Sequence, residues 1–228
     1  PQLLVGLTAT PERMDGKDLR PDFGNRISAE IRLPQALQAG LLTPFQYLCI
    51  SDDTDLSDDS LWSGQKYNIE RLADKLCAKT RARLIVDALH KYLADEYTCR
   101  ALCFCVNKRH ADFMAEQLRL YGFNAQSLTS DTPTDERKQL AKDLREGTLH
   151  YLCVVDIFNE GVDIPEVDTV LFLRPTESLT IFLQQLGRGL RLSAGKTELT
   201  VLDFVAQANR KYDFASRFRA LTLQPEKN

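Results

Sequence analysis

Residues Gln184-Gln185-Leu186-Gly187-Arg188-Gly189-Leu190-Arg191 close an apolar helical pattern with two guanidiniums three positions apart. That spacing puts both on one helical face, and arginine's planar fork suits a phosphate better than a point charge does. Gly187 and Gly189 would let another surface approach closely. A competing reading is a plain helix C-terminus, with Gly189 as its cap and Arg191 answering the helix dipole.

Two further segments bear on that choice. Val155-Asp156-Ile157-Phe158-Asn159-Glu160-Gly161-Val162-Asp163-Ile164-Pro165 follows an apolar strand candidate, and Leu7-Thr8-Ala9-Thr10-Pro11 follows another apolar run near the start. In order and spacing the three segments resemble motifs III, V and VI of superfamily 2 helicases and translocases. The wider wording, Thr-Ala-Thr-Pro-Glu-Arg at 8–13, Asn-Glu-Gly-Val-Asp-Ile-Pro at 159–165 and Leu-Arg-Pro-Thr-Glu-Ser at 173–178, is similar to DEAD/DEAH-type helicases related to the type III restriction enzyme helicase subunit.

The resemblance implies the C-terminal RecA-like lobe of a two-lobed ATP-dependent motor. Arg191 would be the γ-phosphate finger, Arg188 its companion, and Gln184 an organiser of the lobe interface. Gly161 and Asp163 would line the nucleotide, Asp163 near the ribose. Its competing role is a turn cap before Ile164-Pro165. Thr8 and Thr10 resemble the motif that couples hydrolysis to lobe movement, although without their acidic partner they could simply end a strand before Pro11. One departure stands out: where many members carry Thr-Asp at the start of motif V, this chain has Val155-Asp156, and valine has no hydroxyl to offer a nucleic-acid phosphate.

Such a motor also needs a Gly-x-x-x-x-Gly-Lys-Ser/Thr loop and an Asp-Glu pair for magnesium, and neither occurs in a suitable context. Gly195-Lys196-Thr197 comes nearest, but Leu190 stands where the first loop glycine belongs. The segment also leads into a strand where a phosphate loop must open a helix, and reads as a turn. ATP with Mg2+ is therefore expected to be held by a missing N-terminal lobe, with neither bound tightly to this chain, which alone should be inactive.

The elements that must position these residues alternate. Strand patterns at 45–50, 101–106, 125–128, 151–155, 169–173 and 199–204 are separated by helical patterns at 80–93, 108–121, 134–146 and 178–186. Alternation predicts a three-layer α/β fold with a mainly parallel sheet, helices on both faces and ligands at the carboxyl ends of the strands, and the resemblance implies that it is RecA-like. The expected division is 1–43 as the end of the first lobe and the linker, 44–215 as the helicase C-terminal domain, and 216–228 as a tail. Within the linker, residues 34–40 read as a short helix with a glycine stop, and Thr43-Pro44 precedes the first strand. Residues 51–60, with five aspartates, read as a solvated acidic connector.

Nucleic-acid contacts are expected where strand ends meet helix N-termini. Asn107 and Lys108 follow the 101–106 strand, and Ser130 precedes the 134–146 helix. Free backbone amides there could hold a phosphate, against the alternative of simple capping, which is slightly favoured for the Ser130 segment. A formal net charge of −3 gives no global basic surface, so binding would rely on a local patch and the missing lobe.

Composition bounds the rest. With 43% hydrophobic and 27% charged residues the chain is ordinary for a globular protein, and no apolar run approaches the roughly 20 residues of a membrane span. The six cysteines lack Cys-x-x-Cys spacing and read as core thiols, which favours a reducing cytoplasm. No metal site is expected, and the three histidines read as surface or helix-edge residues. The start at Pro1, without a leader pattern, reads as a cut inside a longer chain. The function that the resemblance implies is the second lobe of an ATP-dependent DNA helicase or translocase, and the similarity to restriction-type motors tilts it towards duplex DNA. The alternatives are a nonenzymatic nucleic-acid or protein-binding module on the same fold, and a self-contained phosphate enzyme built on Gly195-Lys196-Thr197.

Overall fold

A computed structural model describes residues 5–6, 20–64, 66–155, 164–175, 179–208 and 221. Six strands form one parallel sheet in the order β1-β8-β7-β4-β6-β5, where β1 is Phe45–Leu56, β4 Ala101–Phe104, β5 Ala125–Leu128, β6 Tyr151–Val154, β7 Thr169–Phe172 and β8 Leu199–Ala208. β2 (Trp62–Ser63) and β3 (Lys66–Tyr67) make a separate two-stranded hairpin. Each predicted strand and helix of the alternating pattern is present, and the doubly wound α/β arrangement of a RecA-like lobe follows.

Strand alternation explains the two layers. Ala101, Cys103, Tyr151, Cys153, Leu171 and Leu202 face one side, against Ala82, Ile85 and Leu89 of α3 (Lys79–Tyr92) and Met114 and Leu118 of α4 (Lys108–Leu120). Leu102, Phe104, Leu152, Val154, Val170 and Phe172 face the other side, against Leu144 of α5 (Thr134–Glu146) and Phe182 and Leu186 of α6 (Leu179–Gly189). Because β4, β6 and β7 are buried on both faces, they read as unbroken apolar runs, as strands inside a parallel sheet do. Cys103, Cys105 and Cys153 are fully buried free thiols on the α3/α4 side.

Helix α1 (Leu33–Gln38) ends as its glycine implies. Gly40 adopts φ +67°, its N–H donates to Leu37 O and the Leu41 N–H reaches back to Ala36 O. Among the described residues no helix is long and apolar enough to cross a membrane.

Two expectations need correction. The acidic stretch is no solvated connector, because β1 runs on to Leu56 alongside β8, through an irregularity between Asp52 and Asp55. Asp52 points inward and pairs with Arg81 of α3, Nε to Oδ2 2.6 Å, both about 97% buried by side chain, being 3% and 2% exposed. Arg81 Nη2 also donates to Leu173 O (3.0 Å), and Asp52 Oδ1 accepts from Thr54 N and Oγ1 (2.9 and 2.6 Å).

Beside it stands a cap that the periodicities did not suggest. The hairpin and α2 (Ile69–Leu76) bury Leu61, Tyr67, Leu72 and Leu76 over Leu56, Val106 and Ala206 at the carboxyl end of β1, just past β4 and late in β8. His110, expected at a surface or helix edge, is likewise fully buried. Its Nδ1 accepts from Val106 N (3.3 Å), which leaves the proton on Nε2. Burial, reinforced by Arg81, Arg174 and Arg109, drives its pKa far down and keeps the ring neutral.

Candidate nucleotide and nucleic-acid interfaces

α6 carries apolar residues at 179, 182, 183 and 186, with Leu190 just past its end, so its inner face is fixed by the core; Phe182 lies on Phe172 (ring centroids 5.0 Å) and edge-on to Tyr47 (6.1 Å). Gln184 is exposed, Arg188 half-buried and Arg191 exposed just past the helix end. The two glycines do different jobs. A Cβ on Gly187 would meet open space, whereas one on Gly189 would lie 2.6 Å from Leu199 Cδ1 and 3.1 Å from Val170 Cγ2. Gly187 therefore leaves room for an approaching surface, but Gly189 is glycine because the helix end packs on the sheet, a correction to the reading that both serve approach.

That packing also locates the arginine segment. Leu199 and Val170 lie at the starts of β8 and β7, so the segment sits at the amino ends of the strands, opposite the expected carboxyl edge. The residues around it make a dense set of main-chain bonds. Thr43 donates its N–H to Leu190 O (2.8 Å) and its hydroxyl to Arg191 O (2.8 Å). The Lys196 ammonium donates to Arg191 O (3.0 Å), Pro165 O (3.1 Å) and Gly189 O. Burial pulls its pKa down to about 8, against the pull of Asp168 and Glu166.

Gly195 has φ +81° and the Lys196 N–H closes a turn on Ser193 O (3.2 Å) before β8 begins. The Gly195-Lys196-Thr197 turn is thus a helix-to-strand connection whose lysine is committed to carbonyls. Gly161 and Asp163 lie outside the described residues, as do Thr8 and Thr10; the chain resumes at Ile164, whose neighbour Pro165 reaches the arginine segment through Lys196.

The nucleic-acid candidates occupy the other edge. Asn107 is the N-cap of α4, its Oδ1 accepting from His110 N (3.0 Å), while its Nδ2 donates to Glu70 Oε1 of α2 (3.1 Å). Lys108 and Ser130 come together through Asp131, which accepts from the Lys108 ammonium and from the Ser130 hydroxyl (3.1 Å). Neighbouring Arg109 pairs with Asp74 (2.6 Å). Side-chain capping of α5 from the 130–132 segment is absent, with Pro133 at the N-cap; Arg137 ties the segment down instead, bonding Ser130 O (2.6 Å) and Thr132 O (2.7 Å).

Sequence reasoning missed Lys196 and Thr43 as parts of the arginine site. Their acceptors are main-chain carbonyls, which leave no residue-type signature; only the turn itself was readable.

With this fold and arginine segment in place, the comparisons are specific. The chain belongs to the helicase conserved C-terminal domain family, whose model matches residues 61–193, and has the fold of a superfamily 2 helicase C-terminal lobe. A 51.5 kDa protein of a Lactococcus phage is 28% identical over 86% of this chain and 42% of its own length. A Saccharomyces cerevisiae protein named as an ATP-dependent helicase, IRC3, is 27% identical over 90% of this chain and 30% of its own length. Among solved structures, a fragment assigned as the HsdR subunit of a type I restriction enzyme from Vibrio vulnificus is 25% identical, with TM-score 0.64 over 92% of this chain and 40% of that one. The chain thus spans less than half the length of each.

Proposed function

We propose that this chain is the second motor lobe of an ATP-dependent DNA helicase or translocase, completing a nucleotide site shared with an N-terminal RecA-like lobe. The observation that carries the reading is the Arg188/Arg191 pair at the end of a core-packed helix, where the carbonyls of Gly189, Leu190 and Arg191 are bonded and the space above Gly187 is open. A rigid backbone under two guanidiniums can stabilise charge developing on a transferring phosphoryl group without reorganising. Gln184, exposed on the same helix, would face the partner lobe, and Gly161 and Asp163, just ahead of Pro165, would line the nucleotide. ATP and Mg2+ would be held mainly by the other lobe, and Thr8 and Thr10 would couple its chemistry to closure.

On the opposite edge, Asn107, Lys108 and Ser130 would meet the phosphates of duplex DNA. Exposed ion pairs such as Lys108 with Asp131 are worth little, so a phosphate can displace the carboxylate. Affinity should fall steeply with salt and be indifferent to sequence. Fluorescence anisotropy over a salt series should show Lys108→Ala weakening binding uniformly to unrelated duplexes, and tight, salt-insensitive binding to one sequence would point to a recognition module instead.

Phosphate release tests the motor reading itself. The full-length protein should hydrolyse ATP, with duplex DNA stimulating it more than RNA, and the 228-residue chain alone should not. Turnover by the chain alone that Lys196→Ala abolishes would favour a self-contained enzyme; a full-length protein without turnover would favour the nonenzymatic module.

A further inference from the structure

A helix leaves its last carbonyls without intrahelical partners, and many helices resolve this with a left-handed glycine. α6 does not: Gly189 is still helical and is pinned between Leu199 and Val170. The carbonyls at and just past its end turn instead to two side chains and one amide from elsewhere. Gly189 O and Arg191 O accept from Lys196, Leu190 O accepts from the Thr43 amide, and Arg191 O accepts the Thr43 hydroxyl as well. Thr43 is 148 positions away from Arg191 in sequence and 1% exposed, so the bond links the linker side of β1 to the arginine segment through the interior. The adjoining Leu199 N–H donates to Pro44 O (2.9 Å), which locks the same junction from the strand side.

Lys196 adds a second connection. An ammonium has three N–H bonds, and its three acceptors here are the carbonyls of Pro165, Gly189 and Arg191. Pro165 lies two residues past Asp163, so one side chain fastens the end of the segment resembling motif V to the end of the one resembling motif VI.

We infer that Lys196 and Thr43 form a clasp that positions Arg191 for ATP hydrolysis, acting through its backbone and without touching the nucleotide. The inference rests on the proposed role of Arg191 as the phosphate-facing guanidinium. Loosening a main-chain support by the order of 1 Å costs about 10²-fold when a reacting geometry depends on it. The clasp also joins the linker to the finger, so a displacement of Thr43 would be transmitted to Arg191 as the lobes close.

The test is steady-state ATP turnover by the full-length protein carrying Lys196→Met, Thr43→Val, Thr43→Ser, Arg191→Ala, or Lys196→Met with Arg191→Ala. Methionine keeps the stem and removes the donors; valine keeps the Thr43 amide and removes the hydroxyl. Lys196→Met should lower kcat roughly 10- to 100-fold with KM for ATP little changed, Thr43→Val should do the same more weakly, and Thr43→Ser should restore turnover. If the clasp acts only through Arg191, adding Lys196→Met to Arg191→Ala should cost nothing more. Full turnover in a folded Lys196→Met or Thr43→Val protein overturns the clasp, as does an undiminished loss from Lys196→Met in the Arg191→Ala background. Should Lys196→Met fail to fold, the Thr43→Val and Thr43→Ser pair decides the question alone. Normal turnover in Arg191→Ala would instead remove the phosphate-finger reading on which the clasp depends.

Discussion

Arg191→Ala in the full-length protein is expected to lower ATP turnover about 10³-fold or more, and Arg188→Ala comparably, with nucleotide binding largely kept. The magnitude follows from the task. A guanidinium meeting the transferring phosphoryl group stabilises charge that grows in the transition state, so its loss appears in kcat before KM. The alternative role, helix capping, predicts something different, because the carbonyls of Gly189, Leu190 and Arg191 at the end of α6 are already held by Thr43 and Lys196. Removing a merely capping arginine would then change stability by a few tenths of a kcal/mol and leave turnover near normal. Measuring phosphate release and the thermal midpoint on the same preparations separates the two. Near-normal turnover in both folded variants would return these arginines to a structural role.

How much of this site was legible depended on where each residue's partner lay. The strands β4, β6 and β7 could be read because both their faces are buried, and α6 because its apolar residues recur at helical spacing. The arginine pair could be read from residue type and spacing alone. Gly187 and Gly189 look equivalent in sequence, yet one faces open space and the other a leucine from a strand ten residues on. Likewise, placing the segment at the amino ends of the strands required knowing that α6 returns along the sheet and ends over Leu199 and Val170. Lys196 reads in sequence as part of a turn, but its three main-chain acceptors are set by tertiary packing. At the other edge, Asn107 announced itself as an N-cap, whereas the pairing of Lys108 with Asp131 and of Arg109 with Asp74 joins elements that sequence does not show as neighbours.

The acidic stretch gives the sharpest case, and the largest expected effect on stability. Five aspartates in ten residues suggest a solvated loop, but Asp52 lies inside, opposite an arginine 29 positions away. Burial works against the Asp52 carboxylate, yet Arg81 and the Thr54 bonds outweigh it and hold its pKa below the ordinary value. Asp52→Asn keeps an acceptor for Thr54 but leaves the Arg81 guanidinium buried without its counter-charge, and Arg81 Nη1 already has no hydrogen-bond partner. Such a break should cost about 3–5 kcal/mol, measured by urea unfolding of the 228-residue chain. Because the carboxylate's pKa is lower folded than unfolded, its contribution is present above the unfolded value and lost as pH falls through the folded one. The wild type should therefore lose stability below about pH 4 in a way the Asp52→Asn variant does not. The double change Asp52→Leu with Arg81→Met removes both charges and should recover most of the single-variant loss, since apolar replacement of a buried pair is often close to neutral. A double variant as unstable as the sum of its parts would mean that the bonds to Thr54 and Leu173, and not the ion pair, hold β1 to α3 and β7.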